Sequence, residues 1–472
     1  MVVGEITENA DLLVIGGGPG GYVAAIRAAQ LGRQVTLVEQ HALGGICLNV
    51  GCIPSKTLIS AANEFDQIRH AASRGITVEN PSISMEQVQV FKQQVVTRLT
   101  NGVKKLLGAN EVTVIQGAAR FIDKQRIRVV SDYETKKIEF RQAIIATGSR
   151  PRLMPGIPMD GQVVMDSTNL LSLKYIPRHL TVIGGGYIGL ELGTAFRKLG
   201  SAVTIVEATS SLLPGVDPLM VRIVAARLRD LGVTIHVNTT VTSLAVEGFQ
   251  ANLTLDKDNK ILQADAVLVT VGRVPNTDDV GLKDAGVEVD KDGLIIVDDR
   301  LRTSNPDIAA IGDVTPGPML AHKASYQGKV AADNLSGRPT YTDAFAIPAV
   351  IFTDPEIATV GLTESSAREA GYDPIMGRFS LAANGRALSL DYPVGEAVVV
   401  ADKNTGLLLG IHVAGADASS LIGEGGLALE MGATLEDLAL TIHAHPTLPE
   451  TLMEAAEVAL GRPIHTAPRS HP

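Results

Sequence analysis

Short apolar runs and amphipathic stretches alternate along the first two thirds of the chain, which predicts an α/β fold. The runs that predict buried strands are 11–15, 35–39, 112–115, 126–130, 142–145, 180–183, 203–207, 264–270 and 308–314. Apolar residues at helical spacing predict helices at 22–32, 59–68, 88–107 and from 190 onwards. From about residue 347 the pattern changes, with predicted strands at 350–352, 397–400 and 407–413 and helices at 365–369, 418–431 and 448–459. A separate, mixed domain is therefore expected at the C-terminal end.

Two strand–helix junctions carry a glycine-rich turn of the form GxGxxG. The first turn contains Gly16, Gly18 and Gly21, and the second contains Gly184, Gly186 and Gly189. Such glycines let the backbone approach a pyrophosphate, and the following helix offers free amides and a positive N-terminus. A glycine-rich turn without a ligand is the alternative for a single motif.

An acidic residue closes the second strand of each unit, and its distance from the turn is the same in both. Glu39 and Glu207 each lie 23 residues after the first glycine of their unit. A carboxylate at this place binds a ribose hydroxyl of a dinucleotide. Two intact units predict two dinucleotides, although a second unit with a decayed site is also conceivable.

Both cysteines of the 472-residue chain lie in one segment, residues 44–56, GGICLNVGCIPSK. Two cysteines are too few for a secreted disulfide framework or a structural zinc site, so Cys47 and Cys52 predict a redox-active pair. Two unconnected buried thiols are the alternative. A disulfide between them requires Cys47 to lie before, or in a distorted first turn of, the helix that contains Cys52. The helix N-terminus and Lys56 would then favour a thiolate.

Length and charge narrow the class of protein further. A chain of 472 residues predicts two or three domains, and a net charge of −10 argues against nucleic acid as the main partner. Residues 1–10 lack the basic start and apolar core of a signal peptide. No run of about 18 apolar residues predicts a membrane span. The expected location is the cytoplasm, where a disulfide is more often catalytic than structural.

Segment 44–56 resembles the redox-disulfide signature of the flavin disulfide reductases, and within that family it is most similar to the dihydrolipoamide dehydrogenases. The resemblance extends over essentially the whole chain. It implies two Rossmann-like dinucleotide-binding domains, one inserted in the other, and a C-terminal α+β dimerisation domain. The implied FAD-binding domain consists of two pieces, residues 1–150 and 274–346. The implied NAD-binding domain lies between them at 151–273, and the implied interface domain covers 347–472.

The resemblance also implies which residues bind the two cofactors. The FAD-binding residues are Gly16, Gly18, Gly21, Glu39, Lys56, Ala119, Ala146, Thr147, Gly148, Asp313, Met319, Leu320, Ala321 and His322. The NAD-binding residues are Gly184, Gly186, Tyr187, Ile188, Gly189, Glu191, Glu207, Val241 and Gly272. Glu207 favours NAD over NADP, because no arginine follows it at 208–211 to bind a 2′-phosphate. The alternatives are a core aromatic for Tyr187, a helix cap for His322 and a solvated lysine for Lys56.

The remaining chemical residues lie in His443–Glu450, HAHPTLPE. An imidazole held by a carboxylate carries protons near neutral pH. By resemblance, His445 and Glu450 join Cys47 and Cys52 as catalytic residues, and they act on the disulfide of the other subunit. His443 is expected to face elsewhere. Pro449 departs from the small residue that is usual in the family, and His445–Pro446 is a candidate cis bond. No metal site is expected.

The activity implied by the resemblance is oxidation of protein-bound dihydrolipoamide to lipoamide, with hydride passed through FAD to NAD+. The implied partners are the lipoyl domains of 2-oxo acid dehydrogenase complexes and a second copy of the chain. Glutathione and trypanothione reductases would require arginines after Glu207, and mercuric reductase would require a further thiol pair. A soluble transhydrogenase would lack the redox pair. A role mainly as a binding component of a multienzyme complex is a different class of alternative.

Overall fold

The computed structural model describes residues 7–467. The predicted absence of a signal peptide concerns residues 1–10, of which residues 1–6 lie outside this range. The strands, in chain order, are β1 (Thr7–Ile15), β2 (Val35–Glu39), β3 (Thr113–Gln116), β4 (Ala118–Phe121), β5 (Arg126–Val130), β6 (Thr135–Ile145), β7 (Ser149–Pro151), β8 (Val164–Met165), β9 (His179–Ile183), β10 (Ala202–Val206), β11 (Thr234–His236), β12 (Val241–Glu247), β13 (Gln250–Leu255), β14 (Ile261–Ala264), β15 (Ala266–Val269), β16 (Arg273–Pro275), β17 (Ile308–Ala310), β18 (Ala349–Ile351), β19 (Glu356–Gly361), β20 (Pro374–Ser380), β21 (Glu396–Asp402) and β22 (Leu408–Gly415).

The helices connect and cover these strands. They are α1 (Pro19–Gln30), α2 (Gly45–Asn49), α3 (Cys52–Arg69), α4 (Met85–Ala109), α5 (Ser167–Leu170), α6 (Tyr187–Leu199), α7 (Pro218–Asp230), α8 (Ala321–Leu335), α9 (Glu364–Glu369), α10 (Gly385–Ser389), α11 (Ala418–Glu430), α12 (Leu435–Leu440) and α13 (Glu450–Ala459). Within residues 7–467, short 3-10 helices lie at Ala71–Arg74, Gly312–Val314 and Leu381–Ala383.

The first sheet has the order β3-β2-β1-β6-β5-β4, with β17 beside the C-terminal end of β6. Its central strands β2, β1, β6 and β17 run parallel. The apolar residues of β1 alternate between two cores, because Leu13 and Ile15 pack on one face and Leu12 and Val14 on the other. Both faces are thus buried, as in doubly wound α/β folds. The parallel strands bring the C-terminal ends of β1, β2 and β6 to one edge of the sheet.

The second sheet repeats this plan. Its order is β11-β10-β9-β15-β8, with all pairs parallel, and an antiparallel meander of β12, β13 and β14 covers one side. The chain enters this unit through β7 and leaves it through β16, which pair antiparallel with Ser149 opposite Pro275. The second unit is therefore inserted into the first, and the α/β fold class with one dinucleotide-type unit inside another is confirmed.

The C-terminal part forms an antiparallel sheet in the order β18-β19-β22-β21-β20. Helices α11 and α13 pack against it around a core that includes Val399, Ile411 and Leu452. Several elements here have no strong pattern in the sequence and were not predicted, among them β19, β20 and α12. Helix α13 begins at Glu450 rather than at residue 448.

One predicted strand is wrong at its C-terminal end. The run 308–314 forms a strand only as far as Ala310, and residues 312–314 turn into a 3-10 helix. Gly312 has φ +77°, a left-handed conformation that ends the strand and that favours glycine. This turn brings Asp313 to the C-terminal edge of the first sheet.

One stretch of the described residues, 45–69, is long and apolar enough to cross a membrane by length and composition alone, with mean hydropathy 1.2. It is not one continuous helix, because α2 ends at Asn49 and α3 begins at Cys52 after Gly51. Helix α3 packs against α4 and α6. Length and composition are therefore weak evidence for a membrane span here.

Candidate functional site

The two glycine-rich turns have the same backbone conformation. Gly16 and Gly184 have φ +104° and +105°, which L side chains rarely adopt. A Cβ atom at Gly16 would lie 2.2 Å from the carbonyl oxygen of Ala146, and one at Gly184 would lie 2.4 Å from that of Thr270. The glycines therefore let each turn pass directly over the next strand end of its sheet, and they place the N-termini of α1 and α6 at equivalent positions.

The acidic residues of the two units also have matching contacts. Glu39 accepts hydrogen bonds from the backbone of Gly17 at 2.6 Å and of His41 at 2.7 Å. Glu207 accepts from Gly185 at 2.6 Å, and from the amide and the hydroxyl of Thr209, both at 2.7 Å. Both carboxylates are buried and fixed beside a glycine turn. Each carboxylate has further lone pairs, so each can still accept a ribose hydroxyl.

The space in front of the two helices is suited to a pyrophosphate. A Cβ atom at Gly18 would have its nearest neighbour at 3.9 Å, and one at Gly186 would have none within 4 Å. Neither helix has a side-chain cap, so their first amides have no side-chain acceptor. The residues present therefore fit a dinucleotide at each turn.

The predicted FAD residues gather at the C-terminal edge of the first sheet. Ala146, Thr147 and Gly148 follow β6, and Thr147 donates its hydroxyl to the carbonyl of Asn276 at 2.7 Å. Ala119 lies in β4, which is distant from these residues along the chain and is at the far end of the strand order from β3. Met319 and Leu320 lead into α8, which begins at Ala321. His322 contacts the carbonyl of Pro348 through Nε2 at 2.7 Å, so it does not cap α8, and that alternative is wrong.

Asp313 is held by a chain of polar contacts that crosses from one unit to the other. Arg273 Nε donates to the Ser149 hydroxyl at 2.8 Å, and that hydroxyl donates to Asp313 Oδ2 at 2.5 Å. Asp313 belongs to the first unit, whereas Ser149 and Arg273 lie on the paired strands β7 and β16. The contacts fix the carboxylate where the connecting strands meet the first sheet.

On the second unit, Tyr187 is the first residue of α6, and it is 41% exposed. An aromatic side chain this exposed is not a core residue, so that alternative is wrong for Tyr187. Ile188 follows it on the first turn of α6. Val241 begins β12 and is buried, and Gly272, with φ +111°, lies where the chain leaves the unit.

The two cysteines lie on either side of a break between two helices. Cys47 is in the short helix α2, and Cys52 is the first residue of α3. This arrangement confirms that one regular helix does not contain both. Both are free thiols in the structure, with Cys47 partly buried and Cys52 exposed.

The thiols differ strongly in acidity. A hydrogen bond from the Cys47 thiol, opposed by desolvation and aided by the charge of Lys56, lowers the pKa of Cys52 to about 7. The same hydrogen bond, together with burial, raises the pKa of Cys47 far above its ordinary value. Cys52 is thus the thiol that becomes a thiolate near neutral pH, and Cys47 is its hydrogen-bond donor.

Lys56 is not a solvated helix lysine. Its Nζ lies 2.8 Å from Glu191 Oε2 and 4.7 Å from the ring centroid of Phe352. Glu191 is 3% exposed, and its other oxygen accepts the backbone N–H of Phe352 at 2.9 Å. The contact joins α3, which begins at Cys52, to α6, which begins at Tyr187. A buried carboxylate with an ammonium and an amide as partners is satisfied.

Replacing Lys56 with methionine should raise the pKa of Cys52, because the lysine charge stabilises the thiolate. In the flavin-loaded protein with a reduced dithiol, the Cys52 thiolate gives a long-wavelength charge-transfer absorbance with oxidised FAD. This thiolate absorbance appears as the pH rises through the pKa of Cys52. We expect the transition near pH 7 in the natural protein. In the variant we expect it to be higher by roughly one unit.

Lys104→Met, at an exposed position on α4, is the matched control and should titrate like the natural protein. An unchanged titration in Lys56→Met would show that Lys56 does not set the acidity of Cys52.

The histidines of segment 443–450 have separate carboxylate partners. His445 Nδ1 lies 2.9 Å from Glu450 Oε1, and the imidazole is 78% exposed. Burial alone would raise the pKa of Glu450, but the amide of Thr447 and the His445 ring hold it below its ordinary value. His443 is buried instead and contacts Glu424 of α11 at 2.7 Å. The expectation that the two rings face different ways is confirmed.

The backbone of this segment also follows the prediction. The His445–Pro446 bond is cis, and Pro449 directly precedes α13 in helical conformation, where a proline is tolerated. With Nδ1 donating to a carboxylate, Nε2 of His445 is the free acceptor. It can therefore take a proton from a bound molecule or from a group of another chain.

Several residues that shape the site were not predicted from the sequence. They are Ser149, Arg273, Asn276, Phe352, Glu424 and Thr447. Four of them lie within or beside segments that the sequence analysis names: Ser149 follows Gly148, Arg273 follows Gly272, Glu424 lies in the predicted helix 418–431 and Thr447 lies in segment 443–450. Ser149, Phe352 and Glu424 act through contacts between distant parts of the chain, and these leave no local pattern. Thr447 lies within segment 443–450 and donates its amide to Glu450 three residues later.

Comparisons with known proteins agree with this geometry. Residues 10–328 match the model of the pyridine nucleotide-disulphide oxidoreductase family, and residues 347–456 match the dimerisation domain of that family. The dihydrolipoyl dehydrogenase of Geobacillus stearothermophilus is 50% identical over 98% of this chain and 99% of its own length. That of Bacillus subtilis is 49% identical over 98% of this chain and 99% of its own length.

Solved structures give the same result. LpdA from Mycobacterium tuberculosis matches with a TM-score of 0.89 and 29% identity, over 95% of this chain and 99% of that one. The HOCl-induced flavoprotein disulfide reductase RclA from Escherichia coli matches with a TM-score of 0.85 and 31% identity, over 95% and 99%. The prediction of an FAD- and NAD-using oxidoreductase of this type is confirmed. The chain therefore belongs to the pyridine nucleotide-disulphide oxidoreductase family.

Proposed function

We propose that this chain oxidises dihydrolipoamide to lipoamide and passes the two electrons through FAD to NAD+. The observation that carries the proposal is the placement of the two thiols, Cys47 in α2 and Cys52 at the start of α3. Helix α2 begins at Gly45, whose Cα would lie 3.9 Å from a Cβ atom at Gly18 of the first glycine turn. A dithiol that opens and closes there exchanges readily with a small dithiol substrate. The relatives that are about half identical over nearly their full length carry the name dihydrolipoyl dehydrogenase.

The thiol chemistry divides between the two cysteines. In the oxidised protein, a substrate thiolate attacks the Cys47 sulfur, the Cys47–Cys52 bond breaks, and its electron pair stays on Cys52. The low pKa of Cys52 makes it the better leaving group. The second substrate thiol then attacks the mixed disulfide, which releases cyclic lipoamide and leaves Cys47 as a thiol.

The cofactors complete the electron path. When bound, FAD would supply a two-electron carrier between the dithiol and NAD+, and its reduction would leave the two cysteines as a disulfide again. The first glycine turn, Glu39, Asp313 and the start of α8 would hold FAD, and the second turn with Glu207 would hold NAD. Tyr187 is exposed at the start of α6, so it can move aside to admit a nicotinamide.

His445 supplies the base in this proposal. Its Nε2 takes the proton of the attacking substrate thiol, and Glu450 steadies the ring through Nδ1. The imidazole is 78% exposed on this chain, and its carboxylate partner lies in the domain that matches a dimerisation domain. We propose that His445 reaches the disulfide of a second copy, so that the homodimer contains two shared sites.

The partners follow from the substrate. We propose that the dihydrolipoyl group is carried by lipoyl domains of a 2-oxo acid dehydrogenase complex, and that the protein acts in the cytoplasm.

We further propose that the FAD-binding parts are 1–150 and 274–346, the NAD-binding part 151–273 and the interface part 347–472. The pairing of β7 with β16 supports the two inner boundaries.

Replacing Glu207 with glutamine should weaken NAD+ binding and relax selection against NADP+. The carboxylate is fixed to accept the ribose 2′-hydroxyl, and it repels a 2′-phosphate. Loss of a charged acceptor should raise the KM for NAD+ by about tenfold. The ratio of kcat/KM for NAD+ and NADP+ measures both effects. Glu247→Gln, at the exposed end of β12, is the control, and an unchanged ratio in Glu207→Gln would exclude the assignment.

Anaerobic titration with dihydrolipoamide, followed by NAD+, tests the proposed function. We expect a long-wavelength thiolate absorbance to appear with dihydrolipoamide and to disappear when NAD+ is added and NADH forms. If dihydrolipoamide leaves the spectrum unchanged while NADPH and glutathione disulfide turn over, the substrate assignment is wrong.

A further inference from the structure

Helices α3 and α6 are joined by two polar links at the same spacing. The first, the Lys56 link, consists of Lys56 on α3, Glu191 on α6 and the backbone N–H of Phe352. The second, the Lys198 link, consists of Asn63 on α3, Lys198 on α6 and Asp354. Lys198 Nζ lies 2.8 Å from Asn63 Oδ1 and 2.7 Å from Asp354 Oδ2.

The spacing of the links has a simple geometric meaning. Asn63 lies seven residues after Lys56, and Lys198 lies seven residues after Glu191. Seven residues are close to two helical turns, or roughly 10.5 Å along a helix axis. Both links therefore fall on one side of each helix, and α3 and α6 run in the same direction. The segment 352–354 contributes to both links, so it contacts α3 and α6 along the line where the two helices pack together.

The Lys198 link is closed off from solvent. Lys198 is 8% exposed and Asp354 is 5% exposed. Arg227 of α7 lies 3.2 Å from Asp354 Oδ2, and the Tyr392 hydroxyl donates to Asp354 Oδ1. Apolar residues of both helices, including Leu58 and Phe196, pack in the same core. A buried ion pair with this many partners has a defined geometry. Removing Lys198 would leave Asp354 with Arg227 and the Tyr392 hydroxyl, but without its contact to α6.

Neither Lys198 nor Asp354 belongs to the proposed reaction chemistry. Asn63 lies 11 residues after Cys52, which is roughly 16 Å along α3. The helices that the link joins nevertheless begin at residues of the proposed site, α3 at Cys52 and α6 at Tyr187. A shift of one helix along the other would displace Lys56 from Glu191. It would also change the distance between the dithiol and the N-terminus of α6, where NAD is proposed to bind.

We propose that the Lys198 link is a positioning site that fixes the register of α3 against α6 and thereby holds Lys56 and Cys52 in place for electron transfer. The inference rests on the proposed function for its kinetic consequence. Its structural consequence, the placement of Lys56 beside Glu191, does not depend on the substrate. Misplacement of reacting groups by about 1 Å can cost about 10²-fold in rate.

The test uses three variants of the flavin-loaded dimer. Lys198→Met and Asp354→Asn break the link, and the double variant Lys198→Met/Asp354→Leu replaces the charges with apolar side chains. Arg33→Met, which breaks the ion pair of Arg33 with Asp11 in β1 at 2.6 Å, is the matched control. Each protein is measured for its unfolding temperature, for kcat and KM with dihydrolipoamide and NAD+, and for the pH at which the thiolate absorbance appears.

We expect the single variants to lose about tenfold in kcat, well within the effect of a small displacement. The KM for dihydrolipoamide should stay within about twofold, because its binding cleft is not altered. The pH at which the thiolate absorbance appears should rise, because Lys56 is held less firmly beside Cys52. The double variant should recover neither the rate nor the titration, because apolar side chains at 198 and 354 cannot replace the polar contacts that fix the register.

Two outcomes would overturn the inference. One is recovery of the rate and the titration together with stability in the double variant, which would make the Lys198 link merely structural. The other is unchanged rate and titration in folded single variants. One equivalent of dithionite supplies the two electrons that reduce the disulfide and leaves FAD oxidised, so the thiolate can be titrated without substrate. If the natural protein failed to oxidise dihydrolipoamide, the proposed function would fail while the titration still tested the Lys198 link.

Discussion

Replacing Cys47 with serine should abolish dihydrolipoamide oxidation while leaving Cys52 as a thiolate. Without the Cys47 sulfur no disulfide forms, so the substrate has no bond to attack and the rate should fall by at least about 10³-fold. The serine hydroxyl can still donate to Cys52, as the Cys47 thiol does, and Lys56 is untouched. The long-wavelength thiolate absorbance should therefore be present in the flavin-loaded variant without any added reductant.

Cys52→Ser provides the matched comparison. It should be equally inactive with dihydrolipoamide, but it should lack the thiolate absorbance, since the residue with the lowered pKa is gone. NADH-dependent reduction of ferricyanide does not need the dithiol, so both variants should retain it if they bind the cofactors. Thiolate absorbance in Cys52→Ser but not in Cys47→Ser would reverse the roles assigned to the two cysteines.

The features that the sequence predicts well are those in which a local pattern has a local cause. Positions 16 and 184 require glycine, because their backbones have positive φ and pass over a neighbouring carbonyl. The first glycine of the GxGxxG motif therefore predicts this turn from the sequence alone. The break between Cys47 and Cys52 also follows from local geometry, because a regular helix cannot bring residues five apart within disulfide distance.

The features that the sequence does not predict depend on contacts between distant residues. The resemblance predicts that Glu191 binds NAD, and the structure adds its bond to Lys56, 135 residues away in the chain. Asp354 is unremarkable in the sequence, because an aspartate before a proline is typical of turns. Only the packing of α3, α6 and segment 352–354 gives it a buried lysine as partner. The antiparallel C-terminal sheet was likewise only partly predicted, since short strands such as β20 are stabilised by their neighbours.

Replacing His445 with glutamine should remove the base that deprotonates the substrate thiol. Glutamine can keep a hydrogen bond with Glu450, but it cannot accept a proton at this pH, so we expect kcat for dihydrolipoamide to fall by about 10²- to 10⁴-fold. NADH-dependent ferricyanide reduction should be unchanged. His443→Gln is the matched control two residues away, because it alters a buried histidine that is bound to Glu424 instead. Equal losses in both variants would indicate a general disturbance of the segment rather than the loss of a base.

Mixing two inactive variants distinguishes a base that acts between chains from one that acts within a chain. If His445 of one copy serves the disulfide of the other, a dimer of Cys47→Ser with His445→Gln contains one site with both natural residues. After dissociation and random reassembly of equal amounts, about a quarter of all sites should then be intact, because half of the dimers are mixed and each has one such site. If His445 served its own chain, every site would lack either the cysteine or the histidine, and the mixture would stay inactive. Activity near a quarter of the natural value would therefore support shared sites, and it would explain why the imidazole is so exposed on a single chain.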